Sequence, residues 1–372
     1  MKIEEYKSGN WESGYKYKYF VPSLINHSFS WEDESINLLL EQAALKLGAL
    51  SAESTFVPNV DMFMLKEALL SNRIEGSDIG IMDALSDIDR ISREKREDLI
   101  EVRNCVKAMN YAIEELDKLP FSCRFIRDAH RVLLSSGRGE RKTPGEFRTS
   151  QNWIGGATIA DAVFVPPAAE KLSELMTDFE LFLNNDEINV PILIKIAIAH
   201  YQVETIHPFL DGNGRVGRLM IPLFFVYKGV LDKPILYLSE FFEKNRAVYY
   251  DKLSYTRRHN DLNQWIKYFL IGIIETASDG IKTFDEITKI KEKIENVILK
   301  MGKRAENGKK LLTMLFSKPI ANIKDVSTVL GITPKTAGEL VNIFVDEKIL
   351  VEQTNNSRDR LFSFSEYINL FK

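Results

Sequence analysis

Apolar residues recur at helical spacing over most of the chain, and this pattern predicts a mainly α fold. Five stretches carry it: 31–50, 61–76, 79–119, 125–134 and 265–274. The alternating acids and bases of 87–101 indicate a solvated helix face. Two runs are strand-like instead. Tyr15–Tyr19 alternates tyrosine and lysine, and two prolines directly follow 163–165.

The last seventy residues have a pattern of their own. Helical stretches start near Leu311, Ile323 and Lys335, and two strand-like runs flank a polar tip at 355–360. This order resembles a winged helix, a relative of the helix-turn-helix DNA readers. From Lys303 to Lys372 there are 11 Lys+Arg and 8 Asp+Glu, a balance of +3. DNA binding and a protein-docking or dimerising role both stay open, because a fold does not fix a function.

Composition narrows the class of protein. The length of 372 residues suggests two or three domains, and 45% apolar with 27% charged residues is ordinary for a globular protein. A net charge of −4 argues against a generally basic nucleic-acid binder. Cys105 and Cys123 show no metal or redox spacing, which favours a cytoplasmic setting. The pattern predicts neither a signal peptide nor a transmembrane helix, and so no membrane partner.

Glycines cluster in one loop between two helical patterns. The loop reads IHPFLDGNGRVGR from Ile206 to Arg218, and apolar helical stretches lie on both sides of it. Closely spaced glycines are unfavourable inside a helix. They suit a backbone that closes around an anion at a helix N-terminus. The sequence therefore predicts a phosphate-binding loop.

The polar residues of this loop fit polyphosphate chemistry. Arg215 and Arg218 lie three residues apart, so they share a helix face and can clamp one polyphosphate chain. Asp211 offers an oxygen ligand to Mg²⁺, which commonly takes one or two carboxylates together with substrate phosphates. His207 can act as a general base near neutral pH.

A dinucleotide-binding fingerprint is the competing interpretation. Residues 212–217 also fit GxGxxG, and Asp232 lies twenty residues beyond Gly212. That fingerprint must follow a strand, within alternating strands and helices. The pattern before Gly212 is helical, so this interpretation is disfavoured.

The loop resembles the signature of the Fic family, HxFx(D/E)GNGRxxR. Every specified position matches: His207, Phe209, Asp211, Gly212, Asn213, Gly214, Arg215 and Arg218. Family members typically transfer AMP from ATP to a protein hydroxyl. The resemblance implies that His207 deprotonates the target hydroxyl, that Asp211 holds Mg²⁺ and that the loop binds ATP. The implied ATP site also includes Val216, Gly217, Asn245, Tyr249 and Tyr250. Both tyrosines could equally belong to the core.

A second resemblance lies upstream. Ser71–Gly76 resembles the motif (S/T)xxxE(G/N) that some Fic proteins carry before the core. In those proteins the glutamate, here Glu75, pairs with the second signature arginine, here Arg218, and displaces the γ-phosphate of ATP. Glu75 is predicted in the last turn of a helix, where the macrodipole disfavours a carboxylate by about 0.3–1 kcal/mol. The plainer alternative is a solvated glutamate.

A third resemblance concerns target docking. Gly145, Phe147 and Arg148 match a GxFR-like element of Fic proteins. The following stretch resembles the Fic flap, a β-hairpin that docks the target backbone as an added strand. Its docking residues are predicted to be Val163, Phe164 and Val165. The alternative is a surface hairpin without function.

The helical pattern predicts a mainly α protein, and the resemblances imply a Fic helical core, a small β-hairpin flap and a C-terminal winged helix. The expected domains are an N-terminal helical region with the inhibitory helix (1–110), the Fic core (111–280), a helical connector (281–303) and the winged helix (304–372). The implied function is AMP transfer from MgATP to a Ser, Thr or Tyr hydroxyl of a target protein and of the chain itself. Ser71 and Glu75 would inhibit it. Four alternatives stay open: the chain could remove AMP, use another nucleotide donor, act as a nucleotide-sensing DNA-binding regulator, or form a homodimer.

Overall fold

A computed structural model describes residues 1–55, 59–354 and 360–372, and these ranges are mainly helical. The helices are α1 Glu34–Ser54, α2 Asp61–Ile74, α3 Ile81–Leu85, α4 Arg93–Leu116, α5 Cys123–Leu133, α6 Leu172–Asn184, α7 Ile192–Ile206, α8 Asn213–Tyr227, α9 Ser239–Lys244, α10 Arg246–His259, α11 Leu262–Leu299, α12 Ala305–Ser317, α13 Ile323–Leu330, α14 Pro334–Asp346 and α15 Ser365–Ile368. The strands are β1 Gly9–Ser13, β2 Lys18–Pro22, β3 Ile320–Asn322, β4 Val351–Glu352 and β5 Leu361–Ser363.

The N-terminal strands form an antiparallel hairpin, in which Trp11 faces Phe20. The expected strand at Tyr15–Tyr19 is therefore shifted. Residues 14–17 form the turn, closed by a bond from the Gly14 N–H to the Tyr17 carbonyl, and Lys16 has a φ of 63°. The alternation of aromatic and charged residues continued across this turn, so it did not show where the strand begins.

The predicted helix at 79–119 is divided. Helix α3 ends at Leu85, and α4 begins at Arg93 after the intervening loop. Burial of Leu99, Val102 and Ala108 places one face of α4 in the core. The charged run did not indicate this break, because its acids and bases have no helical period of their own.

The long helix α11 connects the helices that precede it to the C-terminal helices. It packs along α1 and stays buried at Trp265, Phe284 and Ile298, from its first turns to its last. The expected boundary at 280 and most of the expected connector lie inside this one helix. The division into domains stays a prediction.

The C-terminal region contains helices near the expected positions. Strands β3, β5 and β4 form an antiparallel sheet in that order, with β3 as a strand that the pattern did not predict. Much of the polar tip, 355–359, lies outside the described residues. The winged-helix assignment stays a prediction. None of the described helices is both long and apolar enough to cross a membrane.

Candidate active site

The signature loop joins α7 to α8, which pack against each other. Helix α7 ends at His207, whose φ of 51° turns the chain out of the helix. Gly212, with a φ of 76°, turns it into α8, a left-handed conformation that glycine adopts without strain. The Asn213 amide ties the loop together, because it donates to the Phe209 carbonyl at 2.9 Å and accepts the Phe209 N–H at 2.8 Å. The side chain of Asn213 thus shapes the loop.

The first turn of α8 presents backbone N–H groups to the loop. The first bond along this helix runs from the Val216 N–H to the Gly212 carbonyl, at 3.0 Å. The N–H groups of Asn213, Gly214 and Arg215 precede it and therefore lack a partner within the helix. Together with the helix dipole they form a site that attracts an anion.

His130 supports this loop from α5. Its ring stacks on Phe209 with centroids 3.8 Å apart. Its Nδ1 accepts the Gly145 N–H at 2.8 Å, and its Nε2 lies 2.9 Å from the Asp211 carbonyl. Burial lowers the pKa of His130 to about 4, so the ring is neutral and matches one donor and one acceptor. His130 is thus a buried side chain that connects α5 to the signature loop.

Arg148 holds the end of α7. It is 2% exposed, and its Nε donates to the His207 carbonyl at 2.9 Å. Its other nitrogens donate to the carbonyls of Ser150 and Pro167. A cation at this end of a helix is favoured by the dipole. The GxFR-like element therefore fixes the residue that begins the signature.

The ring of His207 is held in its neutral form. Burial lowers the pKa of its ring to about 4, with a further contribution from the Arg148 guanidinium. The ring is therefore neutral at pH 7 and able to accept a proton. Its Nδ1 is buried and has no hydrogen-bond partner among the described residues.

Glu75 reaches the start of α8 from the end of α2. Its Oε1 lies 2.6 Å from a terminal nitrogen of Arg218, whose side chain is 1% exposed. Ser71 accepts from the same guanidinium, through its hydroxyl at 2.9 Å and its carbonyl at 3.0 Å. A Cβ on Gly214 would lie 2.6 Å from the Glu75 carboxylate. The carboxylate therefore lies against the first turn of α8, where an anion is expected.

Electrostatics favours this pair. Burial raises the pKa of Glu75, but the Arg218 guanidinium outweighs burial and holds the pKa below its usual value. The pKa of Arg218 is raised in turn, although burial opposes this, because Glu75 stabilises its charge. Gly76 has a φ of 103° and ends the helix directly after Glu75. The Glu75 side chain is 40% exposed, so it is paired with Arg218 while one side of it stays open to solvent.

Arg215 is also engaged by the protein. One terminal nitrogen lies 3.3 Å from Asp211 Oδ1, and the other lies 3.3 Å from Glu101 Oε2 and 3.4 Å from the Asn72 amide oxygen. The Glu101 side chain is only 12% exposed. The prediction of a solvated face for the charged run is therefore wrong at Glu101, because the packing of α4 brings this acid to the signature loop.

Asp211 is the candidate ligand for a cation. Its side chain is 39% exposed, and Oδ1 accepts both the Gly212 N–H and the Arg215 contact. Its other oxygen accepts no hydrogen bond from the described residues. Within those residues, no group of three or more His, Cys, Asp or Glu side chains could hold a metal alone. The arrangement suits Mg²⁺ only if substrate phosphates complete its coordination.

Comparison with known families agrees with this site. Residues 120–225 match the Fic/DOC family, and residues 37–114 match the N-terminal region of that family. The chain carries a Fic domain.

Curated relatives of the Fic domain are named protein adenylyltransferases. The chain is 27% identical over 221 residues to fic-1 of Caenorhabditis elegans, covering 55% of this chain and 40% of the relative. It is 31% identical over 142 residues to Fic of Drosophila grimshawi, covering 38% of this chain and 27% of the relative. The chain therefore spans less than half the length of these relatives.

Solved structures show the same fold. A Fic family protein from Desulfovibrio desulfuricans superposes with a TM-score of 0.61 at 20% identity, over 91% of this chain and 98% of that one. A Fic domain containing signaling protein from Bacteroides thetaiotaomicron gives 0.52 at 20% identity, over 68% and 96%. The mainly α fold predicted from the pattern and the Fic core implied by the resemblance are both confirmed.

The two tyrosines of the Fic domain differ in position. Tyr249 is 1% exposed, and its hydroxyl lies 3.0 Å from His200 Nε2 within an aromatic cluster. Tyr250 is 39% exposed and adjoins the site, since the charges of Glu75 and Arg218 both act on its hydroxyl. Asn245 stands between α9 and α10, and its amide donates to the Phe241 carbonyl. The roles of these three residues in binding ATP stay predictions.

The flap of the Fic domain differs from its prediction. It is reduced to one antiparallel bridge, Ile154 to Phe164. Val163 is 68% exposed, but Phe164 and Val165 are each 5% exposed. The Val165 carbonyl already accepts the Phe20 N–H, and the Arg257 guanidinium covers the Phe164 ring at 3.9 Å. Phe164 is therefore packed against Trp11 and Phe20 of the N-terminal hairpin. The docking role of Val163, Phe164 and Val165 stays a prediction.

Proposed function

We propose that this chain transfers AMP from MgATP to the hydroxyl of a Ser, Thr or Tyr side chain of a target protein, and to itself. The observation that carries the proposal is the position of His207, a neutral base at the end of α7, beside the free N–H groups of α8. A base next to an anion site is what attack of a hydroxyl on a phosphate requires. The relatives named protein adenylyltransferases support the same activity.

Each part of the site has a role in this reaction. His207 accepts the proton of the attacking hydroxyl, and a bond forms between that oxygen and the α-phosphorus of ATP. The bond from the α-phosphorus to the bridging oxygen breaks, and pyrophosphate leaves. The N–H groups of α8 and the Arg218 guanidinium stabilise negative charge on the phosphates. Mg²⁺ held by Asp211 and the phosphates would neutralise further charge when it is bound.

The Glu75–Arg218 pair should restrain this activity. While the pair forms, Arg218 is not available to an outer phosphate of ATP, and the Glu75 carboxylate repels an anion at Gly214. ATP would then bind in an unproductive position. The proposed resting state of the protein is therefore inhibited.

Labelled ATP tests the proposal. The full chain carrying Glu75→Gly is incubated with Mg²⁺ and ATP labelled at the α-phosphate, and incorporation into protein is measured. We expect self-labelling, and none from the same chain that also carries His207→Ala. That second chain should still bind ATP, because a base acts on the hydroxyl and not on the nucleotide. Undiminished labelling without His207 would contradict its assignment as the base. Labelling from GTP or CTP, but not from ATP, would show that another nucleotide is the donor.

Removal of AMP is a second candidate, favoured by one observation. The Glu75 carboxylate lies against Gly214, close to where the phosphate of an AMP-modified side chain would bind. From there it could activate a water molecule for hydrolysis. The test is release of AMP from a modified protein by wild type but not by Glu75→Gly. Release by both chains would exclude this role for Glu75.

A further inference from the structure

Helix α4 contributes an acid to the signature site from far along the chain. Glu101 Oε2 lies 3.3 Å from Arg215, a residue 114 positions later. Its other oxygen accepts a bond of 2.6 Å from Arg138 Nε. The side chains of Glu101 and Arg215 are 12% and 6% exposed. This is therefore a mostly buried, specific contact, which solvent screens far less than a surface pair.

Arg215 connects Glu101 to Asp211. A guanidinium is planar and presents its donors in a rigid fork, so a partner at one nitrogen sets the direction of the other. With one terminal nitrogen held by Glu101 and Asn72, the other lies 3.3 Å from Asp211 Oδ1. The orientation of the Asp211 carboxylate thus depends on Glu101 through one intervening residue.

The sharing of charge has a second effect. An arginine paired with Asp211 alone would compete with a cation for the carboxylate. The negative charge of Glu101 weakens the attraction between Arg215 and Asp211, so Asp211 keeps one oxygen available to a cation. A neutral side chain at 101 would direct the whole charge of Arg215 toward Asp211 and weaken Asp211 as a ligand.

We propose that Glu101 is a positioning residue for the divalent cation that accompanies the nucleotide triphosphate. By holding Arg215, it keeps the Asp211 carboxylate aimed at the cation between this residue and the phosphates. The inference rests on the proposed function, because the cation binds together with the nucleotide. Glu101 itself touches neither cation nor nucleotide.

The chain offers a matched control on the same helix. Asp98 precedes Glu101 by three residues and pairs with Arg138, at 2.7 Å from a terminal nitrogen. It therefore binds the same arginine as Glu101 but makes no recorded contact with Arg215. Asp98→Asn removes the same charge from α4 but leaves in place the contacts from Glu101 through Arg215 to Asp211.

The experiment is a titration with Mn²⁺, whose unpaired electrons report binding by electron paramagnetic resonance. The parent is the full chain carrying Glu75→Gly and His207→Ala, in which Arg218 is free and ATP is not consumed. Mn²⁺ affinity is measured with ATP at saturation, and ATP affinity is measured separately without metal. Loss of an outer-shell partner of a metal ligand typically weakens metal binding by roughly 10–100-fold. We expect Glu101→Gln to weaken Mn²⁺ binding about tenfold, with metal-free ATP affinity nearly unchanged. Asp98→Asn should resemble the parent.

The outcomes are distinct. Equal Mn²⁺ affinity in the parent and Glu101→Gln would overturn this inference alone. An equal loss in Glu101→Gln and Asp98→Asn, with a lower melting temperature, would show a structural role of α4 and overturn it as well. A parent that binds neither ATP nor Mn²⁺ with ATP would overturn the proposed nucleotide site, and this inference with it.

Discussion

Three buried arginines around one loop act in three different ways. Arg148 donates to carbonyl groups at the end of α7, and Arg215 connects Asp211 to Glu101. Arg218 pairs with Glu75, and in the proposed function this contact breaks before an outer phosphate binds to Arg218. The residue type does not distinguish these roles, because all three residues are arginines. Each role depends on which oxygen atoms the fold brings near the guanidinium.

Replacing Glu75 tests the inhibitory contact. In Glu75→Gly the guanidinium of Arg218 becomes available, and we expect the initial rate of self-labelling to rise at least about tenfold, the equivalent of about 1.4 kcal/mol. Ser71→Ala is the graded control, since it removes one acceptor of Arg218 but leaves the carboxylate, and it should give a smaller rise. Equal initial rates for wild type and Glu75→Gly at the same ATP concentration would show that the pair does not inhibit.

Replacing Arg218 should act in the opposite direction. Arg218→Ala removes the partner of the outer phosphates, so labelling should fall both in wild type and in the Glu75→Gly chain. Labelling rates and ATP affinity are measured for the four combinations. Should Arg218→Ala leave the rate of the Glu75→Gly chain unchanged, the arginine would serve only to hold the inhibitory glutamate.

The half-buried ring of His207 predicts an unusual pH profile. Burial, Arg148 and Arg257 all lower its pKa, to about 4, and only Glu75 and a nearby carbonyl oppose them. The neutral ring is the active base, so the rate should decline only as the pH falls toward 4. In the Glu75→Gly chain we expect kcat/KM for self-labelling to stay level from pH 8 to pH 6. A decline centred near the ordinary histidine pKa of about 6.5 would show that the ring is solvated.

At the scale of elements, α2 connects the active site to the C-terminal region. Its last turns carry Ser71 and the adjoining Glu75, whereas Phe63 near its start packs between Phe284 at 4.8 Å and Phe371 at 5.0 Å. A helix of 14 residues is stiff enough to transmit a shift from one end to the other. Packing at Phe63 should therefore influence the pair at Glu75.

Phe63→Ala tests this connection. Removal of a buried phenylalanine typically costs about 3–5 kcal/mol of stability, measured here by denaturant unfolding. We expect faster self-labelling as well, because α2 should hold Glu75 less firmly. The control is the same substitution in the Glu75→Gly chain, where no further rise is expected. A similar rise in both backgrounds would mean that the effect does not pass through Glu75.

At the scale of the whole molecule, charge bears on the partner of the C-terminal region. Several of its basic residues are paired with acids, such as Arg304 with Glu339 and Lys318 with Asp325. The chain as a whole carries a net charge of −4. Nonspecific affinity for DNA depends on basic residues that release counterions, so paired cations contribute little.

We therefore expect weak binding of DNA by the full chain. A gel-shift titration with random duplex at low salt should show at most weak retardation, lost at physiological salt. Arg304→Ala and Lys318→Ala are useful comparisons, since little change is expected from residues that are already paired. Tight binding with a steep salt dependence would contradict this expectation and favour the DNA-binding alternative over protein docking.

The sequence by itself determined what depends on local pattern. Helical periodicity predicted most helices, and glycine positions predicted the turn into α8, because glycine alone enters that backbone conformation without strain. The signature loop, His207 and Asp211 could be named from residue types at fixed spacing. Glu75 could be named because a carboxylate at the end of a helix is unfavourable unless a cation compensates for it.

Only the tertiary structure decided which distant groups meet. Glu101 and Arg215 are 114 residues apart, and His130 and Asp211 are 81 apart. Burial of Tyr249 and Phe164 likewise depends on neighbours from other elements. A charged run with acids and bases in alternation gives the same pattern whether a given acid is solvated or buried against an arginine. The packing of α4 against α8 breaks that equivalence, because it removes water from Glu101 and brings Arg215 to it.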